Sequence, residues 1–493
     1  MKPIRTIHYY EDGTEFPVDW SDPEDAKYTY QWNTAHNPYP LTPLSVDLLD
    51  KLNQEQGMRD HMLWCREGLA NAPNPLLTHP HGYWYLHSLE RVNIPTSQCQ
   101  EGLTPLQLRA LQQAPQIKDI WQKEYVPLIK ANCHQIRTGN YAAMTATQLT
   151  TQLPQIFDLA SRMFGLTMYA TPPMFQCHQW LHKFVQGALG IDDEALVAMM
   201  EHGIPNETAA SQILLWELAQ QVRNCPEVSR IFKNYSANEL LAVLPGVEGG
   251  PEFITAFQRY LDKYGWRPEM WLELSIPTWR EEPASVLRII QRYLAGEDPD
   301  PHVTHLSAVR NRRNAVRRLS GRLRNQPEKL AEFKSLLTRA RQYLPVREGR
   351  GNWQLIIGGS LRVPCLILGE KLASQGILKG ADDIFYFRLD ELEQLVSSSG
   401  DSNWSQLAQE RQQERQHRMR TSPPAIIGRI PESNEAGRSD ISSNERVKEE
   451  APSEGRLLRG KAASAGVAQA TARVILYWEE ADKVQPGDIL VCR

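Results

Sequence analysis

His178 and His182 stand four residues apart in a stretch, Met174 to Gln186, whose pattern predicts a helix, so both imidazoles would share one face and could hold one divalent ion. No Glu fills the second place of an H-E-x-x-H motif and no third ligand stands nearby, so a structural pair is the alternative and no metal is expected. Arg310, Arg312, Arg313, Arg317, Arg318, Arg322 and Arg324 form a dense basic stretch that could grip phosphates through paired guanidinium contacts. A solvated helix face is the other reading of most of them. The stretch has no interleaved aromatics and the chain carries a net charge of -4, so no nucleic-acid partner is expected. The nearest approaches to a phosphate-binding loop are Gly246-Val247-Glu248-Gly249-Gly250 and Ile357-Gly358-Gly359-Ser360. Neither contains G-x-x-x-x-G-K-[ST], and both read as turns.

The elements that must position such groups are mainly helical. Thr104-Pro105-Leu106-Gln107 offers a capping Thr, a Pro at the first helical position and a Gln at the third, and Thr145-x-x-Gln148 and Ser236-x-x-Glu239 repeat the capping box ahead of apolar segments. Glu281-Glu282-Pro283 puts acidic residues at the positive end of a further helix, on which Val286, Ile289, Ile290, Tyr293 and Leu294 share a face. Leu330, Phe333, Leu337, Ala340 and Leu344 trace another. From 397 to 456 the composition turns to Ser, Pro, Glu and Arg around one short charged helix near Gln406 to Arg420, with too little apolar surface to offset ordering, and reads as a disordered linker. The tail reads as strand, loop, turn, strand: an alternating run from Ala468 to Tyr477, then Pro486-Gly487-Asp488 before Ile489-Leu490-Val491-Cys492. At 493 residues there is room for about three domains. Seven widely spaced Cys (65, 99, 133, 177, 225, 365, 492), never in C-x-x-C, exclude a zinc ribbon and a disulfide framework and predict buried thiols. No apolar run approaches the roughly 18 residues of a membrane span, and a signal peptide's apolar core is absent from the N-terminus, so a cytoplasmic protein without a membrane partner is expected.

Several short segments carry a resemblance. Gly460, Ser464-Ala465-Gly466 and Gly487-Asp488-Ile489-Leu490-Val491 resemble the opening of the swivelling phosphohistidine domain of the phosphoenolpyruvate-utilising enzymes, which include phosphoenolpyruvate synthase, pyruvate phosphate dikinase and rifampicin phosphotransferase. In the body, Trp32-Asn33-Thr34-Ala35-His36-Asn37-Pro38 through Leu44 is similar to the stretch that leads into that family's central domain. Tyr264-Gly265-Trp266-Arg267, Glu273-Leu274, Pro277 and Trp279-Arg280-Glu281-Glu282-Pro283 follow in the family's order. So do Val346-Arg347-Glu348, Leu368-Gly369-Glu370-Lys371-Leu372, Gly376-Ile377-Leu378, Asp382 to Phe387 and Glu391-Leu392. Trp266 stands where many members have His, which puts any proton or phosphate role at that position in doubt.

The resemblance implies a mainly α central domain, a flexible linker and the beginning of a small α/β swivelling domain, truncated. The expected boundaries are a lead-in over 1–40, a helical acceptor-substrate domain over 41–396, the linker over 397–456 and the mobile-domain start over 457–493. It implies Arg267 and Arg347, with Glu273 and Glu348, as candidates for an acceptor or phosphate site; an Arg buried against Glu273 or Glu348 for structural reasons is the alternative. In the family a His takes phosphate from one site and hands it on, chemistry that a neutral imidazole suits. The Thr-x-Pro and Gly-Gly-x-x-Ser-His segments that would carry it do not occur here, and all thirteen His lie at or before His417. The ATP-grasp domain of the family is also missing from the sequence. The expectation is thus a component or fragment of an ATP-dependent phosphotransferase, inactive alone and binding no cofactor itself. ATP and Mg2+ belong to the complete system, a separate ATP-grasp subunit is a possible partner, and a small molecule is the acceptor. The alternative is a non-catalytic module that binds a small molecule or a partner.

Overall fold

The structure is a computed structural model that describes residues 3–53, 77–87, 105–169, 171–191, 194–201, 203–204, 206–397, 403–429, 468–475, 483–485 and 487–492. Thr104, Gly460, Ser464 to Gly466 and residues 398–402 and 430–456 of the expected linker lie outside the described residues.

The helical body is built on one 48-residue helix, Pro327–Ser374. Helices Val126–Thr138, Ala146–Met168 and Thr171–Leu189 pack along it. Their apolar faces merge into a core that includes Leu153, Phe157, Phe164, Leu181, Phe333, Tyr343, Leu361 and Leu372. The capping boxes form as the sequence predicts: Gln148 N donates to Thr145 Oγ1 at 3.1 Å while Thr145 N donates to Gln148 Oε1 at 2.9 Å, and Glu239 closes the box on Ser236. A second core lies in helices Glu207–Arg223, Pro226–Asn234, Gly250–Tyr264 and Ala284–Ala295, where Phe253 and Phe257 stack with ring centroids 5.9 Å apart.

The two glycine clusters part company. Gly249 does form a turn at φ +77°, where a Cβ would meet Cys225 Sγ at 2.5 Å, and a Cβ on Gly250 would meet Leu244 O at 1.8 Å. These glycines make room for packing. Gly358 and Gly359 were expected in a turn and instead sit inside the long helix. A Cβ on Gly359 would stand 1.9 Å from Trp266 O, so the missing side chain is what lets the 266 loop lie on the helix.

The N-terminal region is not a bare lead-in. Strands Ile4–Tyr9 and Glu15–Trp20 form an antiparallel hairpin. Thr29–Trp32 joins a four-stranded sheet in the order Leu77–Thr78, Tyr85–His87, Thr29–Trp32, Ile426–Gly428. Phe16, Trp20, Tyr30, Tyr83, Tyr85 and Ile427 bury together beneath them. The last strand comes from the expected linker, which corrects the linker's extent: residues 403–429 are ordered. Helix Trp404–Arg418 is fixed by Arg411 donating to both Glu391 oxygens at 2.7 and 2.6 Å and by Arg415 Nε donating to Pro40 O at 2.8 Å. Tyr83 and Tyr85 hydroxyls donate to the carbonyls of Arg418 and Pro424, each at 2.6 Å. Anchoring by guanidinium groups and main-chain carbonyls leaves no apolar signature, which is why composition reads this stretch as a tether.

The tail forms the strands expected of it. Ala472–Ile475 and Ile489–Cys492 pair in parallel, and Asp488 fixes the register by accepting from Arg473 Nε and Gln485 N, both at 3.0 Å. Cys133, Cys177 and Cys365 are buried free thiols. Among the described residues no helix is long and apolar enough to cross a membrane.

Candidate functional site

A cavity of about 680 Å³ opens where helix Pro301–Arg322 and the long helix meet the second core. Arg267, Trp279, Tyr293, Leu344 and Arg347 are on its wall, a volume within the range of small-molecule sites. Arg267 and Arg347, eighty residues apart in sequence, are thereby brought to one place.

The loop that carries Arg267 and Trp279 is fixed at several points. It leaves helix Gly250–Tyr264 and crosses the long helix at Gly359. A bridge between Pro268 and Thr278 closes it, with Trp279 N donating to Arg267 O at 3.1 Å. Glu281 then accepts from Thr278 N and Oγ1 at 2.8 and 2.7 Å and takes both Nε and Nη2 of Arg362 at 2.9 and 2.8 Å. Arg362 is 3% exposed and also donates to Leu274 O, so one buried guanidinium ties the long helix to the middle and the far end of the loop.

Burial pushes the Glu281 carboxyl up, but Arg362 and Thr278 outweigh it, and its pKa falls below the ordinary 4.5. A depressed carboxyl contributes stability that is present above its unfolded pKa and lost as pH falls through its folded pKa. We expect the wild-type melting temperature to drop below about pH 4.5, and the Glu281→Gln chain to start lower and respond less over the same range. Parallel curves in calorimetry would contradict this.

At the cavity the Arg267 guanidinium lies over the Trp279 ring at 4.2 Å and donates from Nη1 to Asn352 Oδ1 at 3.1 Å. Among the described residues its buried Nε finds no acceptor, nor does Trp279 Nε1, and desolvation lowers the Arg267 pKa. Trp266 takes a different role: the guanidinium carbons of Arg137 and Arg280 lie 4.6 and 5.1 Å from its ring. An indole there anchors cations and cannot relay a proton as a His would.

Glu273 is not on this wall. It is 1% exposed and accepts from Thr42 N and Oγ1 at 2.8 Å, Ser45 Oγ at 3.1 Å and Ser275 N at 2.9 Å, with Arg415 Nη2 at 3.5 Å. Its oxygens are fully engaged in joining helix Pro43–Leu52 to the loop, and its cation is Arg415, neither Arg267 nor Arg347. Glu348 falls in the long helix with its side chain outside the described residues. His178 meets Glu201 at 3.0 Å, and among the described residues no three His, Cys, Asp or Glu groups cluster as a metal site would need. Arg310, Arg313, Arg317, Arg318, Arg322 and Arg324 are exposed, while Arg312 donates to Gly203 O at 2.7 Å.

Sequence reasoning missed Trp279, Asn352 and Tyr293, which only the fold brings to Arg267. It also missed a second aromatic cluster, in which Trp84 and Trp271 stack at 4.9 Å with His36 5.0 Å from Trp271. Among the described residues the buried indole N–H groups of Trp84 and Trp271 find no acceptor.

The helical body thus carries a cavity walled by guanidinium and aromatic groups. Residues 167–348, which contain Arg267, Trp279, Arg347, helix Pro301–Arg322 and the first part of the long helix, match the rifampicin phosphotransferase fourth domain. Over this segment the chain is similar to the rifampicin phosphotransferases and related phosphotransferases. It is 27% identical to a rifampicin phosphotransferase of a Streptomyces species over 69% of this chain and 38% of that protein. It is 26% identical to the chondramide synthase of Chondromyces crocatus over 97% of this chain and 12% of that protein. Over 32% of this chain it is 25% identical to a prodigiosin-synthesizing transferase of Serratia marcescens, covering 19% of that protein. The chain thus spans well under half the length of these relatives.

Proposed function

We propose that this chain supplies the acceptor-binding part of a cytoplasmic, ATP-dependent phosphotransferase, with the cavity at Arg267 and Arg347 holding a small organic acceptor. The observation that carries this reading is the convergence of both guanidinium groups, from separate elements of the segment akin to the rifampicin phosphotransferase fourth domain, on one cavity. Phosphate would come from ATP and Mg2+ bound on another polypeptide or domain, by way of a carrier His, and the tail's parallel strand pair would be the start of the carrier domain. What this chain's own residues do is hold and orient the acceptor, with Trp279 and Asn352 fixing Arg267.

The test is a thermal melt with a panel that includes rifampicin and pyruvate. A true acceptor at about a hundred times its Kd should stabilise by about 2.7 kcal/mol. Thr208→Trp, at the exposed rim of the cavity, should abolish the shift. A shift that survives this change would place the ligand elsewhere. Given ATP and Mg2+ alone, the chain should gain no acid-labile phosphate, and phosphorylation would refute the assignment of the carrier to another segment.

A second reading is a non-catalytic module that binds a small molecule or a partner at the same cavity. Adding a separate ATP-grasp and carrier polypeptide separates the two: phosphorylated acceptor supports the component, binding without transfer supports the module.

A further inference from the structure

The cavity wall is unevenly charged. Its two carboxylates already have partners, Asp298 in an ion pair with Arg292 Nη2 at 2.7 Å and Glu201 in a contact with His178 Nδ1 at 3.0 Å. Arg267 has no such partner: among the described residues no carboxylate lies within ion-pair distance of it, and of its N–H donors only one, on Nη1, is used, on the neutral Asn352 amide. A guanidinium presents five donors in a planar fork that matches an oxyanion, and leaving it half-buried, its Nε enclosed and most donors unused, is costly. Trp279 holds its plane by stacking at 4.2 Å, so the group is preorganised. Beside it the wall is apolar and aromatic, with Leu215, Ile289, Tyr293 and Leu344.

We propose that the cavity selects an amphipathic organic anion, whose carboxylate or phosphate sits on Arg267 while its apolar body lies along Tyr293, Ile289 and Leu344. This rests on the cavity being the acceptor site and adds the class of acceptor. A neutral acceptor would leave the guanidinium unanswered.

Two probes of one aromatic frame test it: 1-anilinonaphthalene-8-sulfonate, which carries an oxyanion, and N-phenyl-1-naphthylamine, which does not. By fluorescence titration of the full chain the anionic probe should bind at least tenfold tighter. Arg267→Gln should cost it about tenfold, about 1.4 kcal/mol, while the neutral probe changes less than twofold, and Arg267→Lys should recover part of the loss. Equal affinities for the wild-type chain overturn the proposal, and this arm needs no variant to fold. Loss of both probes in Thr208→Trp with no discrimination by Arg267→Gln would sink the anion claim and leave the cavity reading standing. Binding of both probes unchanged by Thr208→Trp would sink the cavity reading itself.

Discussion

Gly359→Ala should destabilise the protein and empty its cavity, whereas Gly358→Ala, one residue earlier in the same helix, should stabilise it. An alanine in place of a helical glycine ordinarily gains about 0.5–1 kcal/mol. At Gly358 nothing lies within 4 Å of the added Cβ, so that gain should appear. At Gly359 the Cβ would stand 1.9 Å from Trp266 O and 2.8 Å from Thr278 Cγ2, and both belong to the loop that presents Arg267 and Trp279. Neither backbone can yield without the other, and overpacking of this kind costs about 1–3 kcal/mol. The loop would lift from the long helix, and Arg267 would lose Asn352, which is on that helix. Urea midpoints moving in opposite directions for the two variants, with ligand binding lost only for Gly359→Ala, is the expected pattern. Two stabilised variants would mean that the loop does not rest on Gly359.

The second large effect is expected at Glu273. Its carboxylate is buried at the first turn of helix Pro43–Leu52, where it answers the Thr42 N–H, the Thr42 and Ser45 hydroxyls, the Ser275 N–H and the charge of Arg415. Removing one partner of such a network strands all the others, and breaking a buried charge pair costs about 3–5 kcal/mol. Glu273→Ala should therefore lose about that much, with a smaller loss for Glu273→Gln, which keeps the shape and one acceptor oxygen. A fall of less than about 1 kcal/mol, the scale of an exposed ion pair, would contradict the structural role given to Glu273 and reopen its candidacy as a ligand group.

Local signals were legible in the sequence, and distant pairings were not. The capping boxes at Thr145 and Ser236 formed because both partners lie within one turn. Arg267 and Arg347 were singled out by their place in family-like segments, and the fold brought them to one cavity. Glu273 was singled out by the same rule and is a strut, since a short motif marks what a fold keeps without separating binding from support. Gly358-Gly359 misled because a glycine pair signals a turn when its neighbours are unknown, and the neighbour that explains Gly359 is a carbonyl ninety-three positions earlier. Ile426–Gly428 is three residues long and pairs with Thr29–Trp32, too short for an alternation to be read. Trp279 and Tyr293 were visible as aromatic residues, but which of thirteen Trp and seventeen Tyr faces a ligand is set by tertiary packing.

The second aromatic cluster, Trp84 with Trp271 beside His36, gives the account its sharpest competitor, because it too holds buried indole N–H groups that find no acceptor among the described residues. The deciding measurement is the 19F spectrum of the chain labelled with 5-fluorotryptophan, its resonances assigned by single Trp→Phe changes and titrated with rifampicin and with 1-anilinonaphthalene-8-sulfonate. The account predicts that the Trp279 resonance shifts with saturation while those of Trp84 and Trp271 hold still. A saturable shift at Trp84 and Trp271 with Trp279 unmoved would contradict it and move the ligand site to the N-terminal cluster.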